Sequence, residues 1–544
     1  MYQLLVVAIA LIAQTAYGQN CDSQNNGALC LTGQCCSNAG FCGTTAEYCL
    51  TSQRCQAQCI NDGPPPPPQG PKPQSIDTSK LFKPPDNTFA TKQLVGYFSN
   101  WAQYRGLDPS VPSCDKNQSF LPENINPFLY THLNYAFVFM TNNNSIVPHE
   151  YDDLDLSMHF NKWVKGLNPS ITTSFSVGGW TMNDGPSKFT GNIDYSTFFS
   201  QMASTSGSRS TFIQSCIKWA RDLGFDGIDI DWEYVGDPTR GGTSADTENF
   251  TSLVKEMRDA ARAEAASSGK NELLITVAAP ADPDKFNLIQ VGGLRLSVTR
   301  LTGIILMTYD FYGNWDPRMD SQAPIADTLQ KGWSFTSAID LYLNAGVPGS
   351  KINAGIPLYG RIWTIDDPSC TSPGCTGTAG ISGRCTAESG FLAYFEIKEI
   401  IDALDSQNML STALNFASQD GYFLVFDDQW VGYDDENSFQ AKVDIINNKG
   451  IRGGMLWAVD LDTADFSLTK KLLEYYQSCP KDGDWPATSA NSEAEILCSS
   501  DSAFPQETQT RMCNEDLTWG VVDNSACNPV RPVSLAAQKC VEGQ

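Results

Sequence analysis

Between residues 92 and 478, apolar strand-like runs alternate with helix-like stretches, and no other feature of the 544-residue chain restricts its fold as tightly. The strand-like runs are LVGYFS (94–99), HLNYAFVF (132–139), TTSFSVGGW (172–180), FDGIDIDWEY (225–234), ELLITVAAP (272–280), GIILMTYDFYG (303–313), INAGIPLYGR (352–361) and GGMLWAVDLD (453–462). Amphipathic stretches such as TFIQSCIKWARDLG (211–224) and TENFTSLVKEMRDAARAEAAS (247–267) lie between several of them. Eight such alternations predict an α/β fold of parallel βαβ units closed into a (β/α)8 barrel, with an open doubly wound sheet as the competing arrangement. More than 90 residues separate the seventh and eighth runs. Within them, 362–431 holds Cys370, Cys375, Cys385 and the strand-like GYFLVF (421–426), which predicts a small inserted α+β subdomain.

The segments outside the barrel differ in composition. Leu4 to Ala13 is an unbroken apolar run too short to span a bilayer, and Ala16-Tyr17-Gly18 follows it. This pattern predicts a signal peptide over 1–18, although Met1-Tyr2-Gln3 offers no Lys or Arg. Eight of the 18 cysteines then fall between Cys21 and Cys59, spaced C-x8-C-x4-CC-x5-C-x6-C-x5-C-x3-C. So short a block (19–60) cannot bury a sufficient core, so it is expected to be a knot held by four disulfides, whose pairing the spacing leaves open. Such a knot needs an oxidising compartment, and a secreted, extracellular protein is expected. Residues 61–91 form a spacer with seven prolines between Pro64 and Pro73, a semi-rigid extended segment. The C-terminal extension, 479–544, carries Cys479, Cys498, Cys513, Cys527 and Cys540; their odd number leaves at least one to pair elsewhere or stay free. No activity is assigned to it.

Charge narrows the function. Lys and Arg number 36 against 61 Asp and Glu, a formal net charge of −25. That argues against nucleic acid and against anionic membranes as partners. The three histidines, His132, His149 and His159, are too few for a His-rich metal centre or a His-led triad. No cofactor and no metal are expected, and the chain is expected to act as a monomer.

The chemistry concentrates in the fourth strand-like run, Asp226-Gly-Ile-Asp229-Ile-Asp231-Trp-Glu233. Strand side chains alternate faces, so Asp229, Asp231 and Glu233 share one face while Ile228, Ile230 and Trp232 take the other. A barrel interior is normally filled by Val, Ile or Leu, and three acids there are costly unless they work. Crowded carboxylates cannot all ionise cheaply, so at least one is held protonated, which is what a general acid acting on a glycosidic oxygen requires. Glu233, last of the three, is placed nearest the C-terminal rim, where barrel active sites lie.

This stretch resembles the D-x-x-D-x-D-x-E signature of family 18 glycoside hydrolases, the chitinases, whose catalytic domain is a TIM barrel. SFSVGGW (174–180) resembles the family's third-strand motif, MTYDFYG (307–313) the sixth-strand motif and GGMLWAVDLD (453–462) the eighth. IPLYGR (356–361), with VGYDDENSFQAK (431–442) after the insertion, resembles the members that carry the extra α+β subdomain. The resemblance implies that Glu233 donates the proton, that the substrate's own acetamido oxygen attacks the sugar, and that Asp231 orients the acetamido N–H. It further implies that Asp229 shares charge with Asp231, that Tyr309 donates to the acetamido oxygen and that Ser176 supports the acids. Trp457 would floor the subsite, with Asp310 and Met307 lining it. Trp180, Tyr97, Trp315 and Tyr359 are expected as sugar-packing aromatics at strand ends, and Arg361 as a hydrogen-bond donor there.

The N-terminal block is similar to hevein-like chitin-binding domains. That similarity implies the pairs Cys21–Cys36, Cys30–Cys42, Cys35–Cys49 and Cys55–Cys59, and a sugar grip by Ser37, Phe41 and Tyr48. A third aromatic position of that family is Ala39 here, which removes one stacking platform. The expected partners are therefore chitin and chitooligosaccharides, and the expected activity is hydrolysis of β-1,4 bonds between N-acetylglucosamine units. Two alternatives are a non-catalytic chitin-binding lectin and an endo-β-N-acetylglucosaminidase acting on N-glycan cores.

Overall fold

The computed structural model describes residues 77–477, apart from short segments at 86–87, 90–91, 107–113, 115–117, 151, 188–192, 290–297, 328–330, 411–413 and 418–420. It also describes the pieces 35–36, 42–43, 478–479, 488–489, 493–497, 508–514 and 519–523. The expected leader, most of the proline-rich spacer, the four disulfides of the knot and the side chains of Ser37, Phe41 and Tyr48 lie outside the described residues. Within the knot, Cys35–Cys36 pairs antiparallel with Cys42–Gly43.

Eight parallel strands, with a short antiparallel strand (Ile146–Pro148) beside the second, form one nine-stranded sheet: β1 (Gln93–Ser99), β2 (His132–Met140), β3 (Thr172–Gly178), β4 (Gly227–Asp231), β5 (Leu274–Pro280), β6 (Gly303–Met307), β7 (Ile352–Pro357) and β8 (Gly453–Trp457). Each pairs with its sequence neighbour, and β1 also pairs with β8, Gln93 opposite Gly453. The sheet is thus a closed barrel, as the alternation of runs predicts, and the open doubly wound arrangement is excluded.

The helices around the barrel start and stop where their residues dictate. Helix α1 spans Asp153–Leu167, α2 Ser206–Leu223 and α3 Asp246–Ser268. The Thr205 hydroxyl caps α2 by accepting from the Ser208 N–H, and Gly224, at φ 83°, ends it in the left-handed region that glycine tolerates. Its buried face, Phe212, Ile213, Cys216, Ile217, Ala220 and Leu223, recurs at helical spacing. Asp246 and Glu248 favour the positive end of α3, which buries Phe250, Leu253, Val254, Met257 and Ala261.

Five of the strand-like runs overshoot their strands, the third by two residues past Gly178, because hydrophobic and aromatic residues continue into the rim loops. The fourth stops at Asp231, so Glu233 stands two residues past the strand, and the sixth stops at Met307. The eighth stops at Trp457. The run 352–361 is two elements: β7 ends at Pro357, and a new strand, Tyr359–Ile365, opens the inserted sheet. Between them the Leu358 N–H donates to the Trp457 carbonyl at 2.8 Å. The inserted sheet runs Gly377–Ala379, Tyr359–Ile365, Gln429–Tyr433, Gly421–Phe426, Leu414–Ala417 in spatial order, with Phe391–Ala393 and the helix Tyr394–Ser406 against it. It therefore begins and ends slightly outside the expected 362–431. Cys370 pairs with Cys375, and Cys385 reaches back 271 residues to Cys114 in the loop after β1. Cys216 is the free, buried cysteine among the described residues.

In the C-terminal extension, Glu493–Leu497, Thr508–Cys513 and Trp519–Asp523 form a three-stranded antiparallel sheet. Among the described residues no helix is long and apolar enough to cross a membrane.

Candidate active site

The period-two argument holds on β4. Ile228 and Ile230 are buried on the outer face, and Trp232 stacks on Phe199 with ring centroids 5.3 Å apart. The three acids point the other way and are nearly or wholly buried, Glu233 the least at 8% exposure. They are not equivalent. Asp229 accepts three hydrogen bonds, from Tyr97 Oη at 2.7 Å, Ser176 Oγ at 2.6 Å and Thr276 Oγ1 at 2.6 Å. Burial raises its pKa, and these three donors act against that rise. Asp231 has no such shell: its buried Oδ1 has no hydrogen-bond partner among the described residues. Burial first, then the neighbouring Glu233 and Asp229 charges, push its carboxyl well above the usual range. Gly178 lets β3 close on this point, since a Cβ there would lie 2.0 Å from the Asp231 carbonyl oxygen and its φ is +120°.

Glu233 is held from two sides. Its N–H donates to Asn183 Oδ1 at 2.9 Å, and its carbonyl accepts from Arg240 Nε at 3.1 Å. Arg240 also donates to the Trp180 carbonyl at 2.6 Å, pairs with Asp184 and lies 3.7 Å over the Trp180 ring. Burial raises the Glu233 carboxyl to about 7, while the Arg240 charge and the Tyr234 hydroxyl pull it down. A buried acid that keeps its proton near neutrality is able to deliver it.

The opposite wall comes from β6 and the insertion. Tyr309 and Asp310 follow Met307, which ends β6 half-buried. Tyr309 passes where β7 carries Gly355: a Cβ there would come 2.6 Å from Tyr309 Cε1. Burial and the Asp231 charge raise the Tyr309 pKa well above its ordinary value, so its hydroxyl stays a donor. Asp310, at φ +57°, receives two parallel hydrogen bonds from Arg361, 2.8 and 2.9 Å. Arg361 also sits 3.4 Å from Glu388.

The aromatic residues separate into two groups. Trp180 and Trp315 are 55% and 56% exposed, and Trp457 is half-buried against Tyr97 (5.4 Å) and Phe137 (5.7 Å). Tyr97 and Tyr359 are corrections to the expected set of sugar-packing surfaces, being 1% and 2% exposed. Tyr97 sits within β1 with its hydroxyl on Asp229. Tyr359 belongs to the inserted sheet, not to the end of β7, and its ring is covered by Phe391 at 4.7 Å. Arg361 lies on that same inserted strand. Sequence reasoning missed Trp101, 40% exposed and 6.3 Å from Trp457, although an indole just past a strand end was a usable signal. It also missed Thr276, Asn183 and Arg240. Thr276 shares the barrel interior with Asp229, but nothing in the periodicity marks the two loop residues.

The family model for glycosyl hydrolases family 18 matches residues 93–462, and that for chitin recognition protein matches residues 20–59. This chain belongs to glycosyl hydrolases family 18. This family 18 chain is 34% identical over 383 residues to a probable endochitinase of Caenorhabditis elegans, covering 67% of itself but 55% of that protein. It is 33% identical to mouse (Mus musculus) chitotriosidase-1, covering 68% of itself and 73% of the relative. The solved structure of human YKL-39, described as a pseudo-chitinase with retained chitooligosaccharide binding, superposes with a TM-score of 0.59 at 29% identity, over 71% of this chain and 98% of the other. Membership of family 18 thus includes both hydrolases and a binder.

Proposed function

We propose that the chain is a secreted chitinase that cleaves β-1,4 bonds between N-acetylglucosamine units with retention, using Glu233 as the proton donor. The observation that carries this reading is the unequal acid set: Asp229 saturated with donors, Asp231 buried with one oxygen unpaired among the described residues, and Glu233 raised by burial beside them. Glu233 gives its proton to the glycosidic oxygen as the bond to the anomeric carbon breaks. The substrate's acetamido oxygen closes on that carbon, following the substrate-assisted scheme known for this family. Asp231 accepts the acetamido N–H, which supplies the partner its Oδ1 lacks, and spreads the positive charge of the oxazolinium. Tyr309 donates to the acetamido oxygen. The Glu233 carboxylate then takes a proton from the water that opens the ring, and is restored.

Trp457 would floor the subsite beneath the distorted sugar, while Trp101, Trp180 and Trp315 offer exposed indole surface to neighbouring units. The chitin recognition match at 20–59 supports an insoluble polymer over an N-glycan core as substrate. The domain plan that follows is a leader (1–18), a knot that anchors (19–60), a spacer (61–91) and a barrel that cuts (92–478).

The lectin alternative keeps the groove without the acid. Release of fluorophore from a labelled chitooligosaccharide by wild type and by Glu233→Gln separates the two. A general acid contributes about 10²- to 10⁴-fold, so the variant is expected to fall by at least the lower figure. Equal signals from both proteins would leave a binder.

A further inference from the structure

The end of the barrel away from the acids holds a second concavity. It has a volume of about 410 Å³ and is lined by Arg258, Arg262, Glu272, Arg300, Lys351 and Arg452 among others. Arg258 and Arg262 come from α3. The others precede strands: Glu272 stands just before β5, Arg300 before β6, Lys351 before β7 and Arg452 before β8. Five cations and one carboxylate therefore face one cavity, in a chain whose overall balance is −25.

Two carboxylates, Glu272 and Asp259, are shared among three of these cations, and the remaining bonds go to neutral oxygens. Arg258, 6% exposed, donates to the carbonyls of Arg300 (2.5 Å) and Leu273 (3.2 Å), to Thr302 Oγ1 (2.9 Å) and to Glu272 (2.6 Å). Arg452 donates to the Thr302 carbonyl at 2.9 Å, and Lys351 to the Leu301 carbonyl at 2.6 Å. Arg262 shares Glu272 at 3.4 Å, and Arg300 stands 3.4 Å from Asp259. Backbone carbonyls fix the geometry of these groups and neutralise none of their charge. Like charges crowded this way weaken one another: burial first, then Arg452 and Arg258, hold Lys351 below its ordinary pKa. An anion between them would relieve that repulsion.

We propose that this cavity is a binding site for a small polyvalent oxyanion of the phosphate or sulfate class, separate from the sugar groove. Guanidinium forks match tetrahedral oxyanions with paired N–H donors, and an ammonium adds a point charge. The acidic remainder of the molecule does not forbid this. At physiological ionic strength charges are screened beyond about 8 Å, so the nearby cations dominate the field inside the cavity. The concave wall suits a compact ion, whereas a nucleic acid or an anionic bilayer would have to approach a chain whose net charge is −25.

The test is equilibrium dialysis of the full chain against labelled inorganic phosphate, with chloride holding ionic strength constant. One saturable site per chain is expected, displaced by sulfate and not by chloride. Arg262→Gln with Arg300→Gln, on the more exposed rim, is expected to weaken binding by at least about tenfold, while circular dichroism shows the fold intact. Lys351→Gln alone is read the same way should the double variant fail to fold. Absence of saturable uptake by wild type, or equal uptake by wild type and variants, overturns the proposal.

Discussion

At the residue scale, the proton donor proposed above, Glu233, would tie catalysis to stability. Its carboxyl rises from 4.5 to about 7 on folding, because burial penalises the charged form. Between those values the folded chain binds more protons than the unfolded one, so stability is greatest below 4.5 and declines as pH rises through 7. Glu233→Gln removes that liability. The variant is expected to melt above wild type at pH 8, by the equivalent of about 1–3 kcal/mol, and to lose the advantage by pH 4, as followed by thermal unfolding at both pH values. Arg240 tests the same proton from the other side. Its charge lowers the Glu233 pKa, so Arg240→Gln is expected to move the alkaline limb of kcat/KM to higher pH, read from a full pH–rate profile. The acids themselves were legible in the sequence, since a period of two puts Asp229 and Asp231 on one face of the strand and Glu233 keeps that face two residues past its end. Asn183 and Arg240 were not, because loops bring them to Glu233 from 50 and 7 residues away and no periodicity connects them.

At the scale of elements, the eight strands could be read from alternation, but their ends could not. Hydrophobicity marks what is buried, and rim residues such as Phe311 and Tyr312 are as buried as strand residues without being paired in the sheet. The same limit joined Tyr359 and Arg361 to β7, although Pro357 already marked the break. The tie between Cys114 and Cys385 was equally hidden, because pairing across 271 residues is set by tertiary approach. It fastens the loop after β1 to the insertion that supplies Arg361. Replacing both cysteines by serine is expected to reduce stability by about 2–4 kcal/mol, measured by urea unfolding under non-reducing conditions. The double replacement should also raise KM for long oligosaccharides more than for short ones if, as proposed, the insertion that carries Arg361 forms a wall of the sugar site.

For the whole molecule, the proposed division of labour makes anchor and blade separable. A tether raises the local concentration of substrate without adding a catalytic contact. Phe41→Ala with Tyr48→Ala in the full chain is therefore expected to slow hydrolysis of insoluble chitin several-fold and leave kcat/KM on soluble oligosaccharides unchanged; a reducing-sugar assay on both substrates checks this. Barrel closure bears on how such a chain is made. Lys92, at the head of β1, hydrogen-bonds the Ile451 carbonyl 359 residues later, and β1 finds its second neighbour only in β8. During translation the first strand therefore leaves the ribosome long before the last exists, and one side of the growing sheet stays bare throughout. Such an edge is a template for pairing with other chains. A premature stop codon between Met140 and Gly453 would yield an adhesive fragment for the cell's quality control to remove, not a weaker version of the closed barrel.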